Sequence, residues 1–121
     1  MTNLRDPKKY LDTIWDWTPF NACFGNTKIR ITDIDGAVER NGKFLFIETK
    51  LPGQELPKGQ RIFFDMLTRL PGVTVLIVWG KPNQPIEVQV WNKSLRRKTN
   101  ANQLSDYLTR WFAWADRQRG A

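Results

Sequence analysis

Histidine is absent from the 121 residues, and cysteine occurs once, at Cys23. Without histidine there is no Ser-His-Asp triad and no imidazole general base. The HNH and ribonuclease A routes to phosphodiester cleavage need histidine and fall with it. A single cysteine excludes an internal disulfide and the usual Cys/His zinc sites. Neither Gly-x-x-x-x-Gly-Lys-Ser/Thr nor Gly-x-Gly-x-x-Gly occurs, so a P-loop or dinucleotide site lacks its fingerprint. The longest apolar run, Val73 to Trp79 with one threonine inside it, is far short of a membrane span. With no signal peptide read at the start, the expected setting is the cytoplasm of a bacterial, archaeal or phage-infected cell, without a membrane partner.

What is present is basic. Nineteen Lys and Arg against twelve Asp and Glu leave a formal charge of +7. Such a surplus favours a polyanionic partner, nucleic acid ahead of an acidic membrane; a merely solubilising surface is the competing explanation. The length and the apolar fraction of 40% suit one domain over residues 1–121. A chain of this size hides roughly two-thirds of its unfolded surface, enough for a real core.

Asp6-Pro7 predicts a helix start, with Tyr10, Leu11, Ile14 and Trp15 on one face up to about Trp17. Residues Lys28 to Arg40 read as extended. Asn41-Gly42 is the strongest short hairpin signal available. Lys43 to Leu51 follows as a central strand, apolar on both faces at Phe44, Leu45, Phe46 and Ile47. A helix is expected from about Lys58 to Leu70, burying Ile62, Phe63, Met66, Leu67 and Leu70. Val73–Trp79 and then Ile86, Val88 and Val90 read as strands. The basic run Lys93 to Lys98 leads into a last helix from about Asn102 to Gln118, with Leu104, Leu108, Trp111 and Ala115 on its apolar face. The expected class is α/β: a mixed sheet flanked by helices, in the order α-β-β-α-β-β-α.

With Asn41-Gly42 as the two-residue loop, Asp35 falls opposite Glu48 and Asp33 opposite Lys50. Directly opposed residues share a face, and opposed carboxylates repel unless a cation offsets them. Two or three hard oxygen ligands suit Mg²⁺, with Mn²⁺ as a substitute. A divalent ion makes a bound water a nucleophile near neutral pH, and Lys50 beside it can bind a phosphate oxygen. Glu-x-Lys alone arises by chance about 0.4 times in such a length, so the triplet without the turn means nothing. An ordinary Asp33–Lys50 ion pair, with Asp35-Gly36 as a bulge, is the competing account.

At these residues the sequence resembles the PD-(D/E)xK nuclease superfamily. Thr32-Asp33-Ile34-Asp35-Gly36, then Phe44 to Lys50, then Gly59-Gln60 carry the likeness, over about Lys28 to Gly80. The small virus-type replication-repair (VRR-NUC) nucleases and the Holliday-junction resolvases are the nearest flavours. The resemblance implies a restriction-endonuclease-like sandwich. It implies Asp35 and Glu48 as metal ligands, the Thr49 backbone carbonyl as a third, Lys50 as the catalytic lysine and Gln60 as the residue that helps place Lys50 or the water. A shift of the loop makes Asp33 the ligand instead of Asp35. The family proline is replaced by Thr32. The family's extra acid from the first helix has only Asp12 and Asp16 as counterparts, both expected in solvent, which leaves a second ion open.

The function implied is Mg²⁺-dependent hydrolysis of DNA phosphodiester bonds, selective for branched DNA. The strand would be gripped through its phosphates by Lys58, Arg61, Arg96, Arg97 and Lys98. Trp111, Phe112 and Trp114 put aromatics on more than one side of the last helix, so a homodimer is expected. A non-enzymatic DNA-binding or nuclease-regulating module on the same scaffold is the alternative.

Overall fold

The sheet grows from the Asn-Gly turn. Asn41 (φ 53°) and Gly42 (φ 78°) both take the left-handed values that a type I′ turn requires. In the computed structural model, which describes residues 7–118, this turn joins β1 (Gly36–Arg40) to β2 (Lys43–Lys50). The strands are antiparallel, with Arg40 opposite Lys43 and Gly36 opposite Ile47. β2 then pairs in parallel with β3 (Val73–Lys81), a connection that needs a crossover, supplied by α2 (Lys58–Leu67). β3 returns through Pro82-Asn83 into β4 (Gln84–Val90), and a two-residue β5 (Arg97–Lys98) closes a mixed sheet in the order β1-β2-β3-β4-β5.

β3 is the middle strand, and Val75 through Trp79 are buried without a break. Alternate side chains serve opposite faces. Val75, Ile77 and Trp79 meet Leu56 and Phe64 on the α2 side. Leu76 and Val78 meet Leu45, Val88, Trp111 and Ala115 on the side of α3 (Ala101–Arg117). Burial on both faces is why the segment reads as one apolar run. Each fully buried Leu or Phe here, such as Leu45 and Phe64, contributes about 1.5–3 kcal/mol of transfer free energy.

α3 is held at both ends by asparagines. Asn100 caps its start, its side chain accepting from the Gln103 N–H at 2.9 Å. At its end, Asn41 Nδ2 donates to the carbonyls of Ala115 and Asp116, at 3.1 and 3.2 Å. The Ala115 carbonyl also accepts from the Gln118 N–H at 3.1 Å, so the helix end is closed by its own last turn and by the hairpin together. Arg40 Nε donates to Asp116 at 2.7 Å, and its guanidinium lies over the Phe112 ring. The hairpin turn therefore also anchors the last helix.

Several expectations are corrected. The first helix, α1, spans only Pro7–Leu11 and does not reach Trp17; Asp6, its expected cap, lies outside the described residues. Both the amide and the hydroxyl of Thr13 donate to the Tyr10 carbonyl, which tightens the chain out of the helix. Leu11, Ile14 and Trp15 are exposed, and a short helix without packing is marginal. A 3₁₀ helix, Thr18–Phe24, follows. Apart from these corrections, the described residues fall into two compact units that meet in sequence between Thr32 and Asp33. Of the extended stretch, only Gly36–Arg40 is strand. α2 stops at Leu67 and turns Gln60, Phe63, Phe64 and Leu67 inward, leaving Ile62, Met66 and Leu70 about half exposed. Both stripes have helical spacing, and Phe64 wins because it fills the space under Val75 and Ile77. Among the described residues, no helix is long and apolar enough to cross a membrane.

A register shift separates Trp79 from Gly80 where β3 meets β4. A Cβ on Gly80 would run into the backbone of Gln84 and Pro85, whereas one on Gly59 would meet nothing. Gly80→Ala is expected to cost about 1–3 kcal/mol through overpacking. Gly59→Ala, in the first turn of α2, is expected to add about 0.4–1 kcal/mol by restricting the unfolded chain. Urea unfolding of the three proteins checks both; equal stability of parent and Gly80→Ala would contradict the close approach.

Candidate active site

Among the described residues Glu48 is the one charged residue in the core, 5% exposed. β2 carries it near its carboxyl end, on the α2 face together with Phe46 and Lys50. The crossover then brings the first turn of α2 over the same strand end, the place where open α/β sheets bind ligands. Three side chains meet there. Lys50 Nζ lies 3.0 Å from Glu48 Oε2, and Gln60 Nε2 donates to the same oxygen at 3.0 Å. Glu48 Oε1 and Gln60 Oε1 are buried without a hydrogen-bond partner.

Burial pushes the Glu48 carboxyl above its ordinary value of 4.5. The Lys50 hydrogen bond pulls it back, the charge of Asp35 pushes it up again, and the Gln60 bond adds a small downward pull. Desolvation wins because one ammonium and one amide replace only part of the lost water.

Asp35 sits differently from its expected place in the ladder. The paired strands begin at Gly36, so the register that sets Asp35 opposite Glu48 runs past their end. In a continued ladder Thr49 would exchange bonds with Ile34. Instead Asp35 Oδ2 accepts from the Thr49 amide at 2.8 Å and from its hydroxyl at 3.0 Å. The carboxylate stands in for a missing strand carbonyl while remaining close enough to Glu48 to repel it. Asp33 is exposed and precedes β1, so no ladder holds it opposite Lys50, whose ion-pair partner is Glu48.

The basic candidates separate. Lys58 and Arg61 are exposed on the first turn of α2, on either side of Gln60. Arg97 and Lys98 are exposed on β5. Arg96 is half-buried: its guanidinium lies 3.7 Å above the Trp79 ring and pairs with Glu55 at 3.2 Å. Trp79 in turn donates to the Gln54 carbonyl at 2.6 Å. Arg96 thus fastens the loop between β2 and α2, a role for Trp79 and Glu55 that no sequence motif marks. Asp12 and Asp16 belong to the other unit; Asp16 is exposed, and the Thr18 amide, bonded to its carboxylate at 3.0 Å, holds its pKa down.

Among the described residues no three of His, Cys, Asp and Glu cluster as a metal-holding group. No family model matches the chain, and comparison with curated proteins and with solved structures finds no match.

A carboxyl whose folded pKa lies above the unfolded value binds more protons when folded. Its contribution to stability is full below pH 4.5 and is lost as the pH rises through the raised value. Glu48→Gln removes that titration. Urea unfolding across pH 4 to 8 is expected, on this linkage, to show a falling component in the parent that the variant lacks. Parallel profiles would mean that Glu48 is not destabilised by burial.

Proposed function

We propose that the chain is a divalent-metal-dependent DNA endonuclease of the PD-(D/E)xK kind, on a restriction-endonuclease-like sandwich, selective for branched DNA. The observation that carries this reading is the pair of buried, unpartnered oxygens, Glu48 Oε1 and Gln60 Oε1, beside an ammonium group. Buried acceptors are normally satisfied, and leftover oxygens in a hard-ligand cluster suit Mg²⁺ or Mn²⁺. A set of two carboxylates and a main-chain carbonyl, completed by water, is ordinary for Mg²⁺ and does not need a third acid.

Glu48, Asp35 and the Thr49 carbonyl are the groups that would hold the ion. When bound, it supplies Lewis-acid polarisation of a phosphoryl oxygen and a more acidic water. Lys50, kept in place by Glu48, offers a fixed positive charge where negative charge grows on the phosphorus centre. Gln60 fixes the carboxylate it donates to. Lys58 and Arg61 flank the site, and Arg97 and Lys98 extend the grip on the DNA backbone. A homodimer, joined through the exposed Phe112 and Trp114 of α3, would set two such sites on two strands.

A second reading has its own observation. Both bonds to Asp35 Oδ2 come from Thr49, which is what a purely structural strand-end cap would show. On that reading the protein binds DNA, or regulates a nuclease, without cleaving.

Glu48→Ala and Lys50→Ala are each expected to lower Mg²⁺-dependent cleavage of a four-way junction by at least about 10²-fold, with DNA binding kept. A parent protein that binds the junction but never cuts it with Mg²⁺ or Mn²⁺ would select the second reading. Cleavage by Glu48→Ala at the parent rate would remove the site. Replacing Arg97 and Lys98 by Ala is expected to reduce the slope of log affinity against log salt by about 1 for each phosphate that is no longer gripped. An unchanged slope would take them off the DNA.

A further inference from the structure

A cavity of about 270 Å³ lies between the β4–β5 edge and the N-terminal half of α3, on the sheet face opposite Glu48. Its polar wall is formed by Arg97, Lys98, Thr99, Gln103, Tyr107 and Arg110, and its remaining lining is aliphatic. Among the described residues no carboxylate lines it. Among the same residues Arg97, Lys98 and Arg110 form no salt bridge, unlike Arg40, Lys50 and Arg96. The nearest acids along the chain are Glu87, opposite Lys98 in the ladder, and Asp106, next to Tyr107.

We propose that this cavity binds a phosphate monoester. Two guanidiniums that form no salt bridge among the described residues, Arg97 and Arg110, stand at one recess and match a dianionic group, because guanidinium forks match its oxygens in pairs; Lys98, opposite Glu87 in the ladder, lends only its place in the wall. The volume is just below the roughly 300 Å³ at which pockets for drug-sized ligands begin, so it suits a phosphate with part of a sugar and not a base pair.

Tyr107 supports the assignment from a separate direction. Burial pushes its phenol up from 10.0, while the charges of Arg97 and Arg110 pull it down. Arg97, Tyr107 and Arg110 line the same cavity, where the phenol is an O–H donor at neutral pH. Gln103 adds a neutral amide donor at the capped start of α3, whose dipole also favours an anion, while the Thr99 amide and hydroxyl are bonded to the Ile86 and Asn100 carbonyls.

The monoester could come from a small nucleotide or from the phosphorylated end of a strand. Calorimetric titration of the full chain in EDTA distinguishes these sources and tests the site. The probes are inorganic phosphate, a nucleoside 5′-monophosphate, its parent nucleoside, and one oligonucleotide with a 5′-phosphate or a 5′-hydroxyl. The monophosphate is expected to bind and the nucleoside not. Arg97→Gln and Arg110→Gln are each expected to weaken binding about tenfold, as for removal of a charge-assisted bond. Tighter binding of the phosphorylated strand over its hydroxyl form names a strand end; equal binding of the two names a small molecule. Equal affinity for nucleoside and monophosphate overturns the site, as does unchanged affinity in folded Arg97→Gln and Arg110→Gln proteins. Glu48→Gln is expected to bind the monophosphate as the parent does. Loss of binding there would mean that the anion sits at the Glu48 cluster, which would also overturn the pocket. The proposal shares Arg97 with the proposed DNA grip but needs no chemistry at Glu48, so titration in EDTA tests it apart from metal-dependent cleavage.

Discussion

Parallel pairing of β2 with β3 is the constraint on which the candidate site depends. A parallel pair cannot be closed by a tight turn, so the chain must leave the carboxyl end of β2, cross the sheet as α2 and return. That excursion sets the first turn of α2 over the strand end that carries Glu48 and Lys50. Gln60 reaches Glu48 because of it, twelve residues along the chain. The loop that makes the excursion is tied down twice, by Trp79 to Gln54 and by Arg96 to Glu55.

The site that results is electrostatically costly. A carboxylate taken out of water loses hydration that one ammonium group does not fully replace. Glu48 meets this with two hydrogen bonds to one oxygen and none to the other. Such an arrangement is a poor way to stabilise a fold, since an apolar residue would fill the same space at less cost.

The sheet also sorts its cations. On the α2 face, Lys50 and Arg96 are neutralised by acids within the fold. On the α3 face, Arg97 and Arg110 surround a cavity that no acid among the described residues lines. A strand reverses side-chain direction at every residue, so neighbours in one basic run, Arg96 and Arg97, end with different tasks.

How far the sequence alone reached follows from which forces are local. Asn41-Gly42 admits few turns, and its geometry set the register from Gly36 to Ile47 without reference to anything distant. Glu48 and Lys50 then had to share a face with Phe46, because alternation along a strand is a property of the backbone. The continuous apolar run of β3 likewise announced a strand covered on both sides. Other outcomes depended on partners far along the chain. α2 offers apolar residues on several sides, and only the space beneath Val75 and Ile77 selected Phe64 over Ile62 and Met66. The helix read from Pro7 to Trp17 had the right spacing but no packed face, so Thr13 could end it. The pairing of Asp35 with Thr49, the stacking of Arg96 on Trp79 and the basic cavity beside α3 all join segments distant in sequence. Such contacts arise when burial brings elements together, and nothing in the local order of residues encodes them.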